Sequence, residues 1–175
     1  MRYRRVFCAG GSYFFTVNLA DRSASTLVEH ISILRAAIHA VRHTFPFTID
    51  AMVVLPDHLH AIWTMPAGDS DYSQRWALVK SRFSHALPRI EPIGASRVAK
   101  RERGIWQRRF WEHQLRDEND FARHIDYIHI NPVKHGHVTA PALWPYSSIH
   151  RYIRTGLLPE NWAVNVDGTS GGSGE

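Results

Sequence analysis

Two histidines one residue apart, His58 and His60, interrupt the run "VVLPDHLHAIW" (Val53–Trp63), which is otherwise apolar apart from Pro56 and Asp57. If the run is a strand, residues i and i+2 share a face, so the two imidazoles aim together while Asp57 and Leu59 aim the opposite way. Two neutral imidazoles on a rigid sheet make half of a divalent metal site. The spacing by itself is weak. With 12 histidines in 175 residues, chance supplies about 0.8 such pairs, and His135-Gly136-His137 is a second one, placed by its glycine and by Pro132 in a turn. Two half-exposed histidines at a strand start fit the same pattern.

The segment "HIDYIHINPVKHG" (His124–Gly136) adds chemistry. On a helix, Tyr127 and Asn131 lie one turn apart on one face, which His124 shares, while His129 points away. That face offers a phenolic nucleophile and an amide ligand beside a metal. Each residue also has an ordinary reading, Tyr127 as a core-edge aromatic and Asn131 as the residue before a proline at a helix end. A third feature is the stretch "RVAKRERGIWQRR", in which Arg97, Lys100, Arg101, Arg103, Arg108 and Arg109 oppose one glutamate, followed by Phe110 and Trp111. Cations interleaved with Trp106 and Trp111 suit phosphate contacts and base stacking on single-stranded nucleic acid. Arg2, Arg4 and Arg5 add positive charge at the start of the chain. The alternative is a solvated charged loop with two core tryptophans.

These groups need elements to position them. "GGSYFFTVNL" (Gly10–Leu19) reads as a first strand. In "STLVEHISILRAAIHAVRHTF", Leu27, Ile31, Leu34, Ile38 and Val41 share a helical face, with Thr26 and Glu29 at capping-box spacing. "FTIDAMVVLP" and "HLHAIWTMP" form a hairpin through Pro56-Asp57. A second helix carries Trp76, Val79, Phe83 and Leu87, with Asp71 as its N-cap. Residues 88–104, rich in proline, glycine and charge, read as a loop or arm. "FWEHQLR" is a further strand, and an acidic front opens the helix of Tyr127, which Pro132 ends or kinks. The order β-α-β-β-α-β-α predicts an α+β protein, a ferredoxin-like antiparallel sheet with helices packed on one face.

Composition narrows the class. The chain has the length of one domain, read as residues 1–167 with a basic loop at 88–109 and a flexible Gly/Ser-rich tail at 168–175. Hydrophobic residues are 44% and charged residues 21%, ordinary for a soluble protein. No apolar run reaches the roughly 20 residues of a membrane span, and the basic start is not followed by a signal peptide's apolar core. Cys8 is the single cysteine, which excludes an intrachain disulfide and fits a reducing cytoplasm. A net charge of +5 suits a polyanionic partner.

Four blocks in order, "GGSYFFTVNL", "VVLPDHLHAIW", "WQRRFWEH" and "DYIHINPVKHG", together resemble the REP-associated tyrosine transposases, a branch of the single-tyrosine HUH transposases related to the insertion-sequence type. The resemblance covers most of the chain outside the arm between Leu87 and Ile105 and the end beyond Trp162. It implies the HUH nuclease fold, with His58, His60 and Asn131 holding a divalent cation, Mg2+ or Mn2+. Insertion-sequence relatives more often have glutamine at the place of Asn131. It implies Tyr127 as the nucleophile, cutting single-stranded DNA beside a repetitive extragenic palindromic hairpin in a bacterial, nucleoid-associated setting. The product is a 5′-phosphotyrosine and a free 3′-hydroxyl. His124, on the face of Tyr127, is a further candidate for proton transfer or phosphate contact. Magnesium prefers oxygen ligands and two imidazoles suit softer ions, so the motif fixes a site more firmly than its ion. The protein works as a monomer or a homodimer. Two other classes stay open: a zinc-dependent hydrolase using His58, His60 and a third histidine, and a non-catalytic binder gripping nucleic acid through Phe14, Phe15 and Trp106.

Overall fold

Alternation along β1 (Ser12–Asn18) sends Tyr13, Phe15 and Val17 to one face of a sheet and Phe14, Thr16 and Asn18 to the other. A computed structural model gives the structure over residues 7–88, 95–99 and 103–164. Arg2, Arg4, Arg5, Lys100, Arg101 and the tail at 168–175 lie outside the described residues, as does the side chain of Arg97. The sheet has the strand order β2-β3-β1-β4, with β2 (Thr48–Val54), β3 (His58–Thr64) and β4 (Trp111–Gln114). All three pairings are antiparallel. This is the ferredoxin-like order expected from the sequence.

The first helical stretch is split where its spacing predicts one helix. α1 (Thr26–Glu29) and α2 (Ile31–Thr44) meet at His30, whose backbone leaves the helical region. The amide of Leu27 donates to the carbonyl of Pro56, which ties α1 to the β2–β3 turn and fixes its own direction. The Thr26–Glu29 capping box is therefore not used. Ser25 occupies the N-cap and makes no side-chain cap bond. In α3 (Tyr72–Ala86) the expected cap is present, with Asp71 accepting from the amide of Gln74 at 2.9 Å. Within the basic arm the described residues include one short helix, α4 (Ala95–Ala99).

α2 and α3 cover one sheet face, as the ferredoxin-like reading requires. Their apolar sides meet Tyr13, Phe15, Val17, Leu59, Ala61 and Trp63, and the indoles of Trp63 and Trp76 stack at 3.9 Å. α5 (Glu118–Lys134) extends that picture by taking the opposite face, where Ile128 packs against Phe14, Ala51, Val53 and Ile62. A strand covered on both faces is buried along its length, and β3 is buried from His58 to Trp63. The alternation expected of a one-sided sheet is absent there for that reason. Asp117 caps α5 through the amide of Asp120 at 2.8 Å.

Of the two outcomes its position predicts, an end or a kink, Pro132 does not give the first, since the helix continues to Lys134. A proline in the last turn forfeits a single backbone bond. The close is instead made by Gly136 at φ +70°, with the amide of His137 donating to the carbonyl of Pro132. After α5 the chain returns along β2, where the amide of Val54 donates to Tyr146 and that of Ser148 to Met52. These bonds cover an edge strand that would otherwise be open to pairing. α6 (Ile149–Arg154) completes the described structure. Among the described residues, no helix is long and apolar enough to cross a membrane.

Two buried polar groups outside the sheet make measurable demands. Arg75 is buried and donates to the carbonyls of Phe45, Pro46 and Asp71 and to the carboxylate of Asp69 at 2.6 Å. Asp69 is 37% exposed, so the carbonyl bonds outweigh the ion pair. Arg75→Met is expected to lower unfolding free energy by about 3 kcal/mol, because charge-assisted bonds are lost and buried carbonyls are left unpaired. Urea denaturation measures this, and a loss below about 1 kcal/mol would contradict it. His129 is fully buried, with Nε2 against Ser148 Oγ at 2.9 Å and its ring against Tyr152. Burial, helped by the charges of Arg151 and His150, lowers its pKa to about 4. An unfolded imidazole titrates near 6.5, so stability is complete above that pH and is lost as pH falls from 6.5 toward 4, by on the order of 3 kcal/mol. Denaturation midpoints measured across that window should drop in the native chain and drop less in His129→Gln; equal slopes would overturn the assignment.

Candidate active site

β3 carries the two imidazoles to the centre of the sheet, and its pairing decides what each one touches. His60 lies opposite Thr16 and His58 opposite Asn18, so both rings face α5. The Nδ1 of His60 pairs with Thr16 Oγ1 at 2.9 Å. The Nδ1 of His58 pairs with Asp57 Oδ1 at 2.7 Å. Each ring therefore presents its Nε2. Asp57 thus meets His58 rather than aiming away from it, because Asp57 belongs to the turn and not to the strand. Arg22 holds the other oxygen of Asp57 at 2.5 Å. Burial works against the Asp57 carboxylate, but the bonds from His58 and Arg22 outweigh it and its pKa lies below the ordinary value.

The imidazoles are kept neutral. Burial lowers the pKa of His58 against the raising effect of Asp57. Burial lowers His60 further, and a proton on His58 or His135 would push it in the same direction. A neutral imidazole with its second nitrogen fixed by an acceptor or hydroxyl is the state in which histidine binds a metal.

α5 lies over this pair. The ring of Tyr127 is 5.2 Å from that of His60, edge-on, and the ring of His135 is 5.1 Å from that of His58. Tyr127, Asn131 and His135 follow one another at helical i, i+4 and i+8 spacing, so Asn131 sits between these two contacts and over the histidines. Asn131 is buried, and its Oδ1 has no hydrogen-bond partner; the same holds for His60 Nε2. Two buried lone-pair donors without a partner are costly unless another group completes them. A divalent cation between His58, His60 and Asn131 fits that requirement. The Nζ of Lys134 lies 5.0 Å from the ring centre of Tyr127, which adds a cation to the same face.

His124 shares the sheet-facing side of α5 with Tyr127, as its spacing suggests, and both rings pack on Phe14. Its Nδ1 lies 2.8 Å from the carbonyl oxygen of Asp120, and its ring packs on Phe14 and on His113. Phe14 in turn touches Tyr127 and His60, so the Phe14 ring packs against both His124 and the tyrosine. His124 belongs to a cluster with His113 and Asp120 whose donor atoms lie within 4.8 Å of one another. His113 Nε2 meets Asp120 Oδ2 at 2.8 Å. Burial opposes the charge on Asp120, and the bonds from His113 and the Arg116 amide prevail, lowering its pKa.

The basic stretch divides into structural and exposed residues. Arg103 donates to the carbonyls of Ser84, Leu87 and Pro88 and closes the C-terminal end of α3. Trp106 is buried and packs on Phe83, which corrects its reading as a stacking platform: residue 106 bridges Leu19 at the sheet margin and the indole fills the core. Arg108 and Arg109 are exposed, and Arg108 reaches Ser96 Oγ. The exposed indole is that of Trp111. Sequence reasoning missed Thr16 and Lys134 as neighbours of the site and misdirected Asp57. Nothing in the sequence marks Thr16, which lies 44 residues from the histidine it orients.

No family model matches the chain. Individual proteins do. A REP-associated tyrosine transposase of Escherichia coli (strain K12) is 45% identical over 170 residues, covering 97% of this chain and 95% of that one. A chain of Haemophilus influenzae assigned to the same kind of transposase is 45% identical over 166 residues, 94% of each. A solved structure of a REP-associated tyrosine transposase bound to a REP hairpin superposes with a TM-score of 0.83 at 44% identity, covering 100% of this chain and 98% of that one. Identity of this depth, sustained over nearly the whole length of both chains and accompanied by the same fold, places the chain in the family of REP-associated tyrosine transposases.

Proposed function

We propose that the protein cleaves and rejoins single-stranded DNA beside a REP-type hairpin, with Tyr127 as nucleophile and His58, His60 and Asn131 as the holders of a divalent cation, Mg2+ or Mn2+. The observation that carries this reading is the Tyr127 ring set 5.2 Å from His60, beside two buried donor atoms that lack partners. The hairpin as partner follows from the relative whose structure contains one. Residues 1–167 act as one domain in this reading, in the bacterial cytoplasm.

The Tyr127 oxygen attacks phosphorus in line, the bond from phosphorus to the 3′-oxygen breaks, and the phenolic proton ends on that oxygen as a free 3′-hydroxyl. The 5′-phosphate stays on Tyr127. Attack by the 3′-hydroxyl of another strand reverses the step and returns the phenol. A phenol ionises near pH 10 and is a poor nucleophile at neutral pH, so the barrier lies in charge development on the phosphoryl oxygens and in alignment. The cation supplies charge neutralisation at those oxygens when bound. Asp57 and Thr16 fix the ring orientations of His58 and His60, and Lys134 adds positive charge at the Tyr127 ring. His124, whose ring packs on the Phe14 ring that also meets Tyr127, is in this reading the candidate for proton transfer or phosphate contact.

A labelled hairpin with single-stranded flanks should yield a denaturation-resistant protein–DNA adduct with Mn2+ or Mg2+. The adduct should vanish with a chelator and in Tyr127→Phe. Cleavage that survives Tyr127→Phe would favour the zinc-hydrolase alternative, to which the approach of His135 to His58 lends its third histidine. A separate expectation concerns Asp57. Asp57→Asn should weaken Mn2+ binding about 10- to 100-fold, as loss of the group orienting a metal-binding histidine does. Titration calorimetry reads this directly, and unchanged affinity would remove Asp57 from the site.

A further inference from the structure

We infer that Trp111 is a nucleobase platform that holds a base of the single strand beside the active site. The inference rests on the reading of Tyr127 and the histidine pair given above and adds a binding site to it. Trp111 opens β4, the edge strand next to β1, and is 49% exposed. An indole at a sheet edge normally turns inward, because burying it contributes more than almost any other side chain. Trp106, at the sheet margin, is buried, as are Trp63 on the central strand and Trp76 on α3.

Position ties it to the chemistry. Thr16 of β1 pairs with His60 on one side and with Trp111 on the other. Residues in such a row share a sheet face, so Trp111 stands on the face of the histidines, two strand spacings of about 4.8 Å away. A nucleotide next to the scissile phosphate reaches that far. The side chain is also held in place. The edge of Phe14 meets the indole at 5.7 Å, and the ring of His113 lies parallel to it within 6° at 5.9 Å. His113 is itself fixed by Asp120 and stacked on His124 at 5.0 Å. The result is a row of near-parallel rings from α5 to the solvent-exposed indole. A preset aromatic plane needs little ordering when a base arrives.

Charge selects the ligand. Arg108 and Arg109, both exposed, directly precede the Phe110-Trp111 pair. Cations beside an exposed aromatic suit a strand whose phosphates pass the arginines while one base lies on the ring. Every base has a π-face, so the platform positions the strand without reading its sequence.

The test uses the full chain carrying Tyr127→Phe, which separates binding from covalent capture, and hairpin DNA whose single-stranded flanks carry one abasic nucleotide at each position in turn. Fluorescence anisotropy should give about tenfold weaker binding for Trp111→Ala and near-native binding for Trp111→Phe. One abasic position should weaken the Trp111 protein by a similar factor and leave Trp111→Ala unaffected. Native affinity in Trp111→Ala, or the same abasic profile with and without the indole, would overturn the platform. So would a failure of the Trp111 protein to bind any of these strands. Adduct formation by the chain with Tyr127 intact is read separately: an adduct without Trp111 coupling rejects the platform alone, and coupling without an adduct rejects the cleavage reading alone.

Discussion

Two imidazoles buried in the central strand of a sheet set the terms for the rest of this protein. β3 has neighbours on both sides and layers on both faces, so a polar atom on it that finds no partner inside the molecule is costly. His58 and His60 each satisfy one nitrogen locally, through Asp57 and Thr16. Their other nitrogens face α5. That helix answers with a phenol and an amide rather than with an apolar seal, and the buried Asn131 oxygen remains as unpaired as the nitrogen of His60. Where α5 meets β3, His60 Nε2 and Asn131 Oδ1 are thus both left without a protein partner.

The stability that offsets this lies on the other side of the sheet. There α2 and α3 close over an aromatic core in which Trp63, Trp76, Phe15 and Phe47 stack and interlock. The same strands thus present two faces with different tasks. One is dry and densely packed, and it holds the backbone of β1 and β3 rigid. The other uses that rigidity to hold ring nitrogens and a phenol in fixed relation. The packing of Phe14 against His60, His124 and Tyr127 joins the strand layer to the helix on the second face.

Positive charge is handled in the same economical way. Arg103 and Arg75 both lie close in sequence to candidate nucleic-acid contacts or core residues, yet they close backbone carbonyls at the ends of α2 and α3. Within the basic stretch, the exposed Arg108 and Arg109 lead into the edge strand and its outward indole. Arg75 and Arg103 thus serve the backbone, while Arg108 and Arg109 keep exposed charge next to the edge strand.

Local rules read much of this from the sequence. The period-2 pattern of "SYFFTVN", the helical spacing from Leu27 to Val41 and the cap at Asp71 each depend on neighbours in the chain, so strands, helices and the strand order implied by their succession were legible. The shared faces of His58 with His60 and of Tyr127 with Asn131 were legible for the same reason, since helix and strand periods are local geometry. Three things were settled only in three dimensions. The side of the sheet taken by α5 depends on which face α2 and α3 leave free. The partners of the imidazoles depend on register: Thr16 is brought opposite His60 by strand pairing, and Asp57 turns to His58 because it leaves the strand. Finally, Trp106 and Trp111 look alike in a basic, aromatic stretch. Only the sheet margin, where residue 106 bridges Leu19 and residue 111 begins an edge, decides that one indole fills the core and the other meets solvent.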